Sequence, residues 1–473
     1  MKFLIIFFIS LISFQSFAQT DPDLIAMPYL QIGSVPTPQS LRLLWHVTRS
    51  TDNWQAAYKN PSGQWTTAEA QTSTGITTDG VQPFIIYTAS FNSLVPGTKF
   101  QYRLSKNGKV VFNGEAKAPK STTQSFRFIA SGDMGAGTKE AIQIAKGIYN
   151  AKPDFVAFAG DLVYDYGLMS EYKTRFWPIY NAAKTNENGV PLMSSTVFIG
   201  AVGNHDVDTK DLDKHPDALA YYLFWDQPLN GPVGKPGGPF VPVLKASDAN
   251  RKAFTTAAGE RYPRMANFSF NYGNAHWTVL DADTYVDWTD STLQKWVAED
   301  LALSKDATWH FVLYHHPGFS SSREHFEQQQ MRLLAPIFEK GNVDIVFNGH
   351  VHNYQRTFPM HFTPDNNGTL IIGGKDNKTI RGRVVTGNWK LDKKFNGTTT
   401  TKPNGVIYIV TGAGGQTLYN PEQQTQPDTW QKFTSKFISV IHSFTQVDVN
   451  GNSLKLRQVD VNGKEVDSIT ISK

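Results

Sequence analysis

The chain has 473 residues, 40% of them hydrophobic, enough for two or three domains with packed cores. Its 45 Lys and Arg stand against 41 Asp and Glu, a net charge of +4. So small an excess offers no electrostatic case for nucleic acid or an acidic membrane surface as partner.

The N-terminus has the pattern of an export signal. Lys2 supplies a positive charge, Phe3 to Phe14 is apolar apart from Ser10 and Ser13, and Ser16-Phe17-Ala18 ends in small residues. Residues 1–18 are therefore read as a signal peptide cleaved after Ala18. The run is too short to span a bilayer, so no stable membrane insertion is expected after cleavage. The chain has no Cys, which excludes lipidation at cysteine and disulfides, so the exported protein must rely on its packed core.

Residues 23–120 read as an all-β domain. Leu41 to Val47, Phe84 to Phe91 and Phe100 to Leu104 are strand candidates, and Leu94-Val95-Pro96-Gly97-Thr98 is a turn feeding the last. Regular short strands with such turns suggest a β-sandwich. No cluster of titratable groups marks a site here, so the expected role is structural, shaping one wall of the active site.

From 125 to 473 strands alternate with helices. Apolar strands are expected at Phe126–Ala130, Phe155–Ala159, Thr196–Gly200, His276–Leu280, Trp309–Tyr314 and Asp344–Phe347. Helices are expected at Lys139–Asn150, Ser291–Lys305 and His325–Lys340. This alternation predicts an α/β layered domain. Two stretches, Asp208–Arg264 and Phe358–Asn404, read as loop insertions at the rim. Phe444–Val449 and Leu454–Val459, joined by Asn450-Gly451-Asn452, carry a hairpin signal.

Five short motifs follow the ends of apolar runs. They are Gly132-Asp133-Met134-Gly135, Gly160-Asp161-Leu162-Val163-Tyr164, Gly203-Asn204-His205-Asp206, Val312-Leu313-Tyr314-His315 and Gly349-His350-Val351-His352. In layered α/β sheets ligands collect beyond the carboxyl ends of strands, where all five lie. An isolated Asp at such a place is usually a turn or helix cap, and an isolated His is usually core or surface. Seven of the twelve His fall between His310 and His361, however, and the donors together comprise carboxylate, phenol, amide and imidazole. That mixture suits a hard ferric ion beside a softer divalent one.

In these motifs the chain resembles the purple acid phosphatases within the calcineurin-like metallophosphoesterases. The likeness covers most of the chain after about Pro119. The segment before it, with Leu94-x-Pro-Gly-Thr-x-Phe-x-Tyr102, is similar to a fibronectin type III strand entry. The resemblance implies a metallophosphoesterase sandwich, α/β (α+β) in class, behind a fibronectin III-like sandwich. It implies a first ion held by Asp133, Asp161, Tyr164 and His352, and a second held by Asp161, Asn204, His315 and His350. Asp161 would bridge ions roughly 3.5–4 Å apart. Many metallophosphoesterases carry Asp-x-His where this chain has Asp133-Met134-Gly135, and Tyr164 takes the place of that missing His. A phenol with an ordinary pKa of about 10 becomes a ligand only beside a strong Lewis acid, which points to Fe(III); the second ion is divalent, Zn, Mn or Fe.

His205 and His325 are the expected catalytic residues, contacting the phosphoryl oxygens and protonating the leaving oxygen. Glu324 stands where many plant-type relatives have a second His, and His316 has no assigned role. One decoy is set aside: Gly132 to Lys139 places Thr138 before Lys139, the reverse of the P-loop order. The function implied is a secreted phosphomonoesterase in which a metal-bound hydroxide attacks a small phosphate ester. A phosphodiesterase on the same site and a non-catalytic exported binding protein are the alternatives. Oligomeric state is not encoded in any motif.

Overall fold

The computed structural model describes residues 21–78, 80–373 and 379–473. The export signal expected at residues 1–18 lies outside the described residues. Among the described residues no helix is long and apolar enough to cross a membrane.

Eight strands come first: β1 (Leu24–Gln31), β2 (Leu41–Thr48), β3 (Trp54–Lys59), β4 (Trp65–Thr67), β5 (Glu69–Thr78), β6 (Val81–Phe91), β7 (Lys99–Lys106) and β8 (Lys109–Lys117). They form two four-stranded antiparallel sheets, ordered β1-β2-β6-β5 and β4-β3-β7-β8. In β7, Phe100, Tyr102 and Leu104 are buried while Lys99 and Gln101 face solvent, the period-2 pattern of a strand with one covered face. Trp45, Trp54, Phe91 and Tyr102 fill the space between the sheets.

The larger domain begins with β9 (Phe126–Ser131), β10 (Phe155–Phe158) and β11 (Val197–Gly200). Then come β12 (Phe268–Tyr272), β13 (Ala275–Val279), β14 (Trp309–Leu313), β15 (Ile345–Asn348) and β16 (Tyr354–Thr357). An insertion contributes β17 (Met360–Pro364), β18 (Thr369–Ile372), β19 (Ile380–Val384) and β20 (Gly387–Leu391). The chain finishes with β21 (Ile407–Thr411), β22 (Thr434–Ile438), β23 (Ser443–Asn450), β24 (Ser453–Asp460) and β25 (Glu465–Ser472).

One sheet runs β11-β10-β9-β23-β24-β25, the other β12-β13-β14-β15-β21-β16-β22. Strands β9 to β11 are parallel, as are β13, β14, β15 and β21. The two sheets meet through aromatic rings: Phe128 of β9 lies 4.9 Å from Trp277, 5.4 Å from Phe311 and 5.7 Å from Phe347, centroid to centroid. Each such fully buried side chain contributes about 1.5–3 kcal/mol. The helix Lys139–Ala151 covers the first sheet. Thr138 caps it, and Ala141, Ile144, Ala145 and Ile148 give it one buried face. The helix Ser291–Leu303 covers the second sheet through Leu293, Val297 and Leu301.

Three expectations are corrected. Phe358–Asn404 is not an open loop: β17 pairs with β20 and β18 with β19, two antiparallel hairpins one inside the other. Asp208–Arg264 contains the helix Asp248–Ala258, capped by Ser247. The helix expected over His325–Lys340 is confined to Ala335–Lys340, preceded by a 3-10 turn at Gln330–Leu334. His325 has φ +60°, outside the helical region, and the Gln329 N–H donates to the Arg383 carbonyl at 2.9 Å instead of to a helical partner.

The small domain packs on the 169–227 segment of the large one. The Tyr29 hydroxyl donates to the Phe224 carbonyl at 2.7 Å and the Tyr102 hydroxyl to Ser194 at 2.6 Å. The Tyr29 ring also packs on Trp177, centroids 5.1 Å apart.

Candidate metal centre

All five motifs lie just beyond the carboxyl ends of parallel strands: Asp133 after β9, Asp161 after β10, Asn204 after β11, His315 after β14 and His350 after β15. Asp133, Asp161 and His350 turn back over their own strands with φ of +58°, +57° and +66°. Left-handed backbone costs a non-glycine residue roughly 1–2 kcal/mol, and such strain gathers at functional sites. Gly203 permits close approach: a Cβ there would lie 2.4 Å from Oδ1 of Asp161.

Asp133, Asp161 and His315 are fully buried and bring ligand atoms within 4.8 Å of one another. Nε2 of His315 lies 3.2 Å from Oδ1 of Asp161 and 3.1 Å from Oδ1 of Asn204. On the other side of Asp133, the Tyr164 hydroxyl donates to Oδ1 at 3.0 Å, and Nε2 of His352 lies 3.4 Å from the same oxygen. The His350 N–H donates to Oδ2 of Asp133 at 2.8 Å. Six of the expected ligands are thus joined through their side chains, while His350 joins through its main-chain N–H with its ring 5.0 Å from that of His315.

The histidines are aimed by main-chain carbonyls. Nδ1 of His315 donates to Ala159 at 2.7 Å, and Nδ1 of His352 to Thr417 at 2.8 Å. A carbonyl only accepts, so these nitrogens carry protons and Nε2 faces the carboxylates. This is the second-sphere pattern of metal-binding histidines. The ring of Tyr419 stacks on His352 at 4.0 Å and 14°.

The electrostatics show a charge deficit. Burial works against a charged His315, yet Asp161 outweighs it and pushes the ring up to about 10. Burial likewise opposes the Asp161 carboxylate, but the His315 charge holds it well below the usual range. The His315 imidazolium, with His205, thus supplies positive charge to Asp161 at the point where a cation fits. Burial, then the charges of Asp133 and Asp161, push the Tyr164 phenol well above its ordinary value. The phenol therefore stays a hydrogen-bond donor to Asp133 unless a strong Lewis acid displaces its proton. The donor set fits a pair of cations: two carboxylates, an amide oxygen, a phenol and three imidazoles around one buried point.

The two expected catalytic histidines flank this cluster. The His205 N–H donates to Oδ1 of Asp161 at 3.0 Å, and its ring is fixed by Nδ1 on the Asp165 carbonyl at 2.8 Å and by Tyr164, 4.4 Å away. The His325 ring lies 4.1 Å from that of His350 and 5.7 Å from Tyr419. Glu324 is exposed, its N–H directed at Asn420. His316 is buried, with its ring 4.0 Å from His350 and Nδ1 without a partner among the described residues. Burial, then the charge of His315, holds it well below the ordinary imidazole value.

Several supporting residues escaped the sequence reading. Asp206 accepts the N–H groups of Leu162 and Gly203, tying two motif turns together. It stands inside a quoted motif, which was its one visible signal. Arg175 grips the Tyr164 carbonyl, and Gln328 contacts His350. Neither, nor Tyr419, lies in a motif.

A profile of the calcineurin-like phosphoesterase family matches residues 126–354, and one described as iron/zinc purple acid phosphatase-like protein C matches residues 405–468. Probable inactive purple acid phosphatase 27 of Arabidopsis thaliana is 27% identical over 359 residues, 66% of this chain and 53% of that protein. Purple acid phosphatase 23 of the same plant is 26% identical over 318 residues, 61% of each chain. The chain spans about half the length of the curated relatives it matches. A purple acid phosphatase from yellow lupin (Lupinus luteus) seeds superposes with a TM-score of 0.65 at 18% identity, over 94% of this chain and 74% of that one. PhoD superposes with a TM-score of 0.56 at 12% identity, over 95% and 93%. Likenesses at this identity establish the fold. The two matched segments take in more than half of the chain, and it belongs to the calcineurin-like metallophosphoesterases, with a purple acid phosphatase C-terminal segment.

Proposed function

We propose that the chain is an exported phosphatase that hydrolyses small phosphate monoesters at a ferric ion paired with a divalent ion, zinc, manganese or iron. Family membership implies a binuclear metal centre, and the buried Asp133, Asp161 and His315 cluster provides its place. The observation that supports the reading is the meeting of the Asp133, Asp161, Tyr164, Asn204, His315 and His352 side chains, with Nδ1 of His315 and of His352 committed to main-chain carbonyls. In this reading Asp133, Asp161, Tyr164 and His352 hold the first ion, and Asp161, Asn204, His315 and His350 the second. The bound pair supplies charge neutralisation at the phosphoryl group and activates water for in-line attack.

The chain's own residues do the rest. Asp133 and Asp161 are buried and so are held away from bulk solvent. His205, fixed through Nδ1 on the Asp165 carbonyl, donates from Nε2 to a phosphoryl oxygen when its ring is protonated, a form that burial opposes but the Asp161 charge favours, raising its pKa. His325, beside His350, approaches from the opposite flank. The two rings hydrogen-bond the phosphoryl group and supply the proton taken up by the leaving oxygen as its bond to phosphorus breaks. Some relatives are named probable inactive; the presence of all seven donor residues in this chain supports an active centre. The substrate class proposed excludes nucleic acid, in line with the small net charge.

The test combines elemental analysis with hydrolysis of p-nitrophenyl phosphate and bis-p-nitrophenyl phosphate. Two ions per chain, one of them iron, with the monoester preferred, is the expected result. A chain that cleaves the diester alone, or binds no metal, overturns the reading.

A further inference from the structure

The β18–β19 hairpin belongs to the insertion that interrupts the large domain. It is fastened to the turn that follows His325. Arg381 pairs with Glu327 at 2.7 Å, and the Gln329 side chain accepts the Val385 N–H at 3.1 Å. Gln328 stands between these contacts. Its amide nitrogen donates to the Arg381 carbonyl at 3.1 Å, and its amide oxygen lies 2.5 Å from Nε2 of His350.

These two contacts determine a tautomer. The Arg381 carbonyl can only accept, so the amide nitrogen of Gln328 must face the hairpin. Its oxygen is then the atom presented to His350. That oxygen also only accepts, so Nε2 of His350 carries the ring proton. In the neutral ring the lone pair is left on Nδ1, the other nitrogen. His315 and His352 are set the opposite way, with protons on Nδ1 and Nε2 facing the carboxylates.

We infer that Gln328, oriented by the hairpin, is a positioning residue that fixes the His350 tautomer and presents Nδ1 as the ligand atom to the second cation. The inference rests on the ligand role proposed above for His350. It makes the insertion an outer support of the metal centre, because the amide that aims a ligand is itself aimed by the insertion's backbone. Gln328 does not touch the reacting atoms; its effect passes through His350.

The test is EDTA-driven release of Zn2+ from the zinc-loaded full chain, with thermal unfolding in parallel. Gln328→Leu fills the space without offering an acceptor. Release of one of the two ions should accelerate about 10–100-fold, the usual cost of losing a second-sphere partner, while the other ion leaves at the wild-type rate. Gln328→Glu restores an acceptor on the same stem and should return release toward wild type. Wild-type release rates in Gln328→Leu overturn the inference. So does Gln328→Glu losing zinc as fast as Gln328→Leu, or a lowered unfolding temperature with both ions lost together, which would mark a structural role. A wild-type chain that takes up no zinc overturns the ligand assignment itself, and this inference with it.

Discussion

The carboxylate of Asp206 accepts the main-chain N–H of Leu162 at 3.0 Å, beneath the buried carboxylates of the centre. Its other oxygen accepts the N–H of Gly203 at 2.8 Å. One side chain therefore joins the turn that bears Asp161 to the turn that bears Asn204. Asp206→Ala leaves three main-chain donors, those of Leu162, Val163 and Gly203, without this acceptor, at roughly 1–3 kcal/mol each. The expected result is a lower unfolding temperature and weaker retention of metal; Asp206→Asn, which keeps one acceptor, should fall between. Calorimetry and elemental analysis of the three proteins check this, and an alanine variant as stable as wild type would show that the turns are held by other contacts.

Tyr164→Phe removes the hydroxyl that donates to Asp133 at 3.0 Å and keeps the ring packed against His205. With iron bound and oxidised, a phenolate ligand absorbs visible light by charge transfer. The wild-type protein should be violet to pink, and the variant colourless with its fold intact. An absorption spectrum settles it: an unchanged visible band in Tyr164→Phe would make Tyr164 an ordinary packed aromatic.

Asp161 and His325 should separate metal binding from turnover. Asp161 is the proposed shared ligand, so Asp161→Ala should release both ions and abolish hydrolysis. His325→Ala should keep both ions and lose about 10²–10⁴-fold in kcat, the usual range for a proton donor or acceptor. Metal content and steady-state kinetics are measured together. Equal metal loss in the two variants would move His325 into the ligand set.

His46 links the domains and carries a pH dependence. Its Nε2 lies 2.9 Å from the Tyr29 hydroxyl, which donates onward to Phe224. Burial, then the charge of Arg261, lowers its pKa from 6.5 to about 3. The folded pKa lies below the unfolded one, so the contribution to stability is complete above about pH 6.5 and is lost as pH falls toward 3. The slope is about 1.4 kcal/mol per pH unit in that window. His46→Gln stays neutral and keeps a donor for Tyr29, so it should lose less stability than wild type between pH 6.5 and 4. Denaturant unfolding across that range checks the difference in slope; parallel curves would mean that His46 titrates freely in the folded chain.

The strands and the ligand motifs were legible because their signals are local. Phe126 to Ser131 and Phe155 to Phe158 are short apolar runs closed by Gly-Asp, and a buried parallel strand needs nothing more to declare itself. The segment after His325 has apolar spacing that suits an α-helix, yet it is not one before Ala335. Its path is decided by contacts with Arg383 and Val385, more than fifty residues away. Asp206 lay in plain view inside a motif, but its partners Leu162 and Val163 sit on another turn, so its task was visible only in three dimensions.

By itself the amino-acid sequence determined the two-domain order, the strands that carry the motifs and the identity of the seven candidate ligands. The strands follow from residue type and from spacing over a few positions, and the candidate ligands from the family resemblance that the motifs carry. Tertiary structure alone decided which nitrogen of each histidine faces the carboxylates, which turns Asp206 ties together, and that the insertion reaches His350 through Gln328. Those are properties of hydrogen bonds between atoms distant along the chain. No local pattern encodes them, because each partner is an ordinary carbonyl or amide until folding brings it within 3 Å or so of its mate.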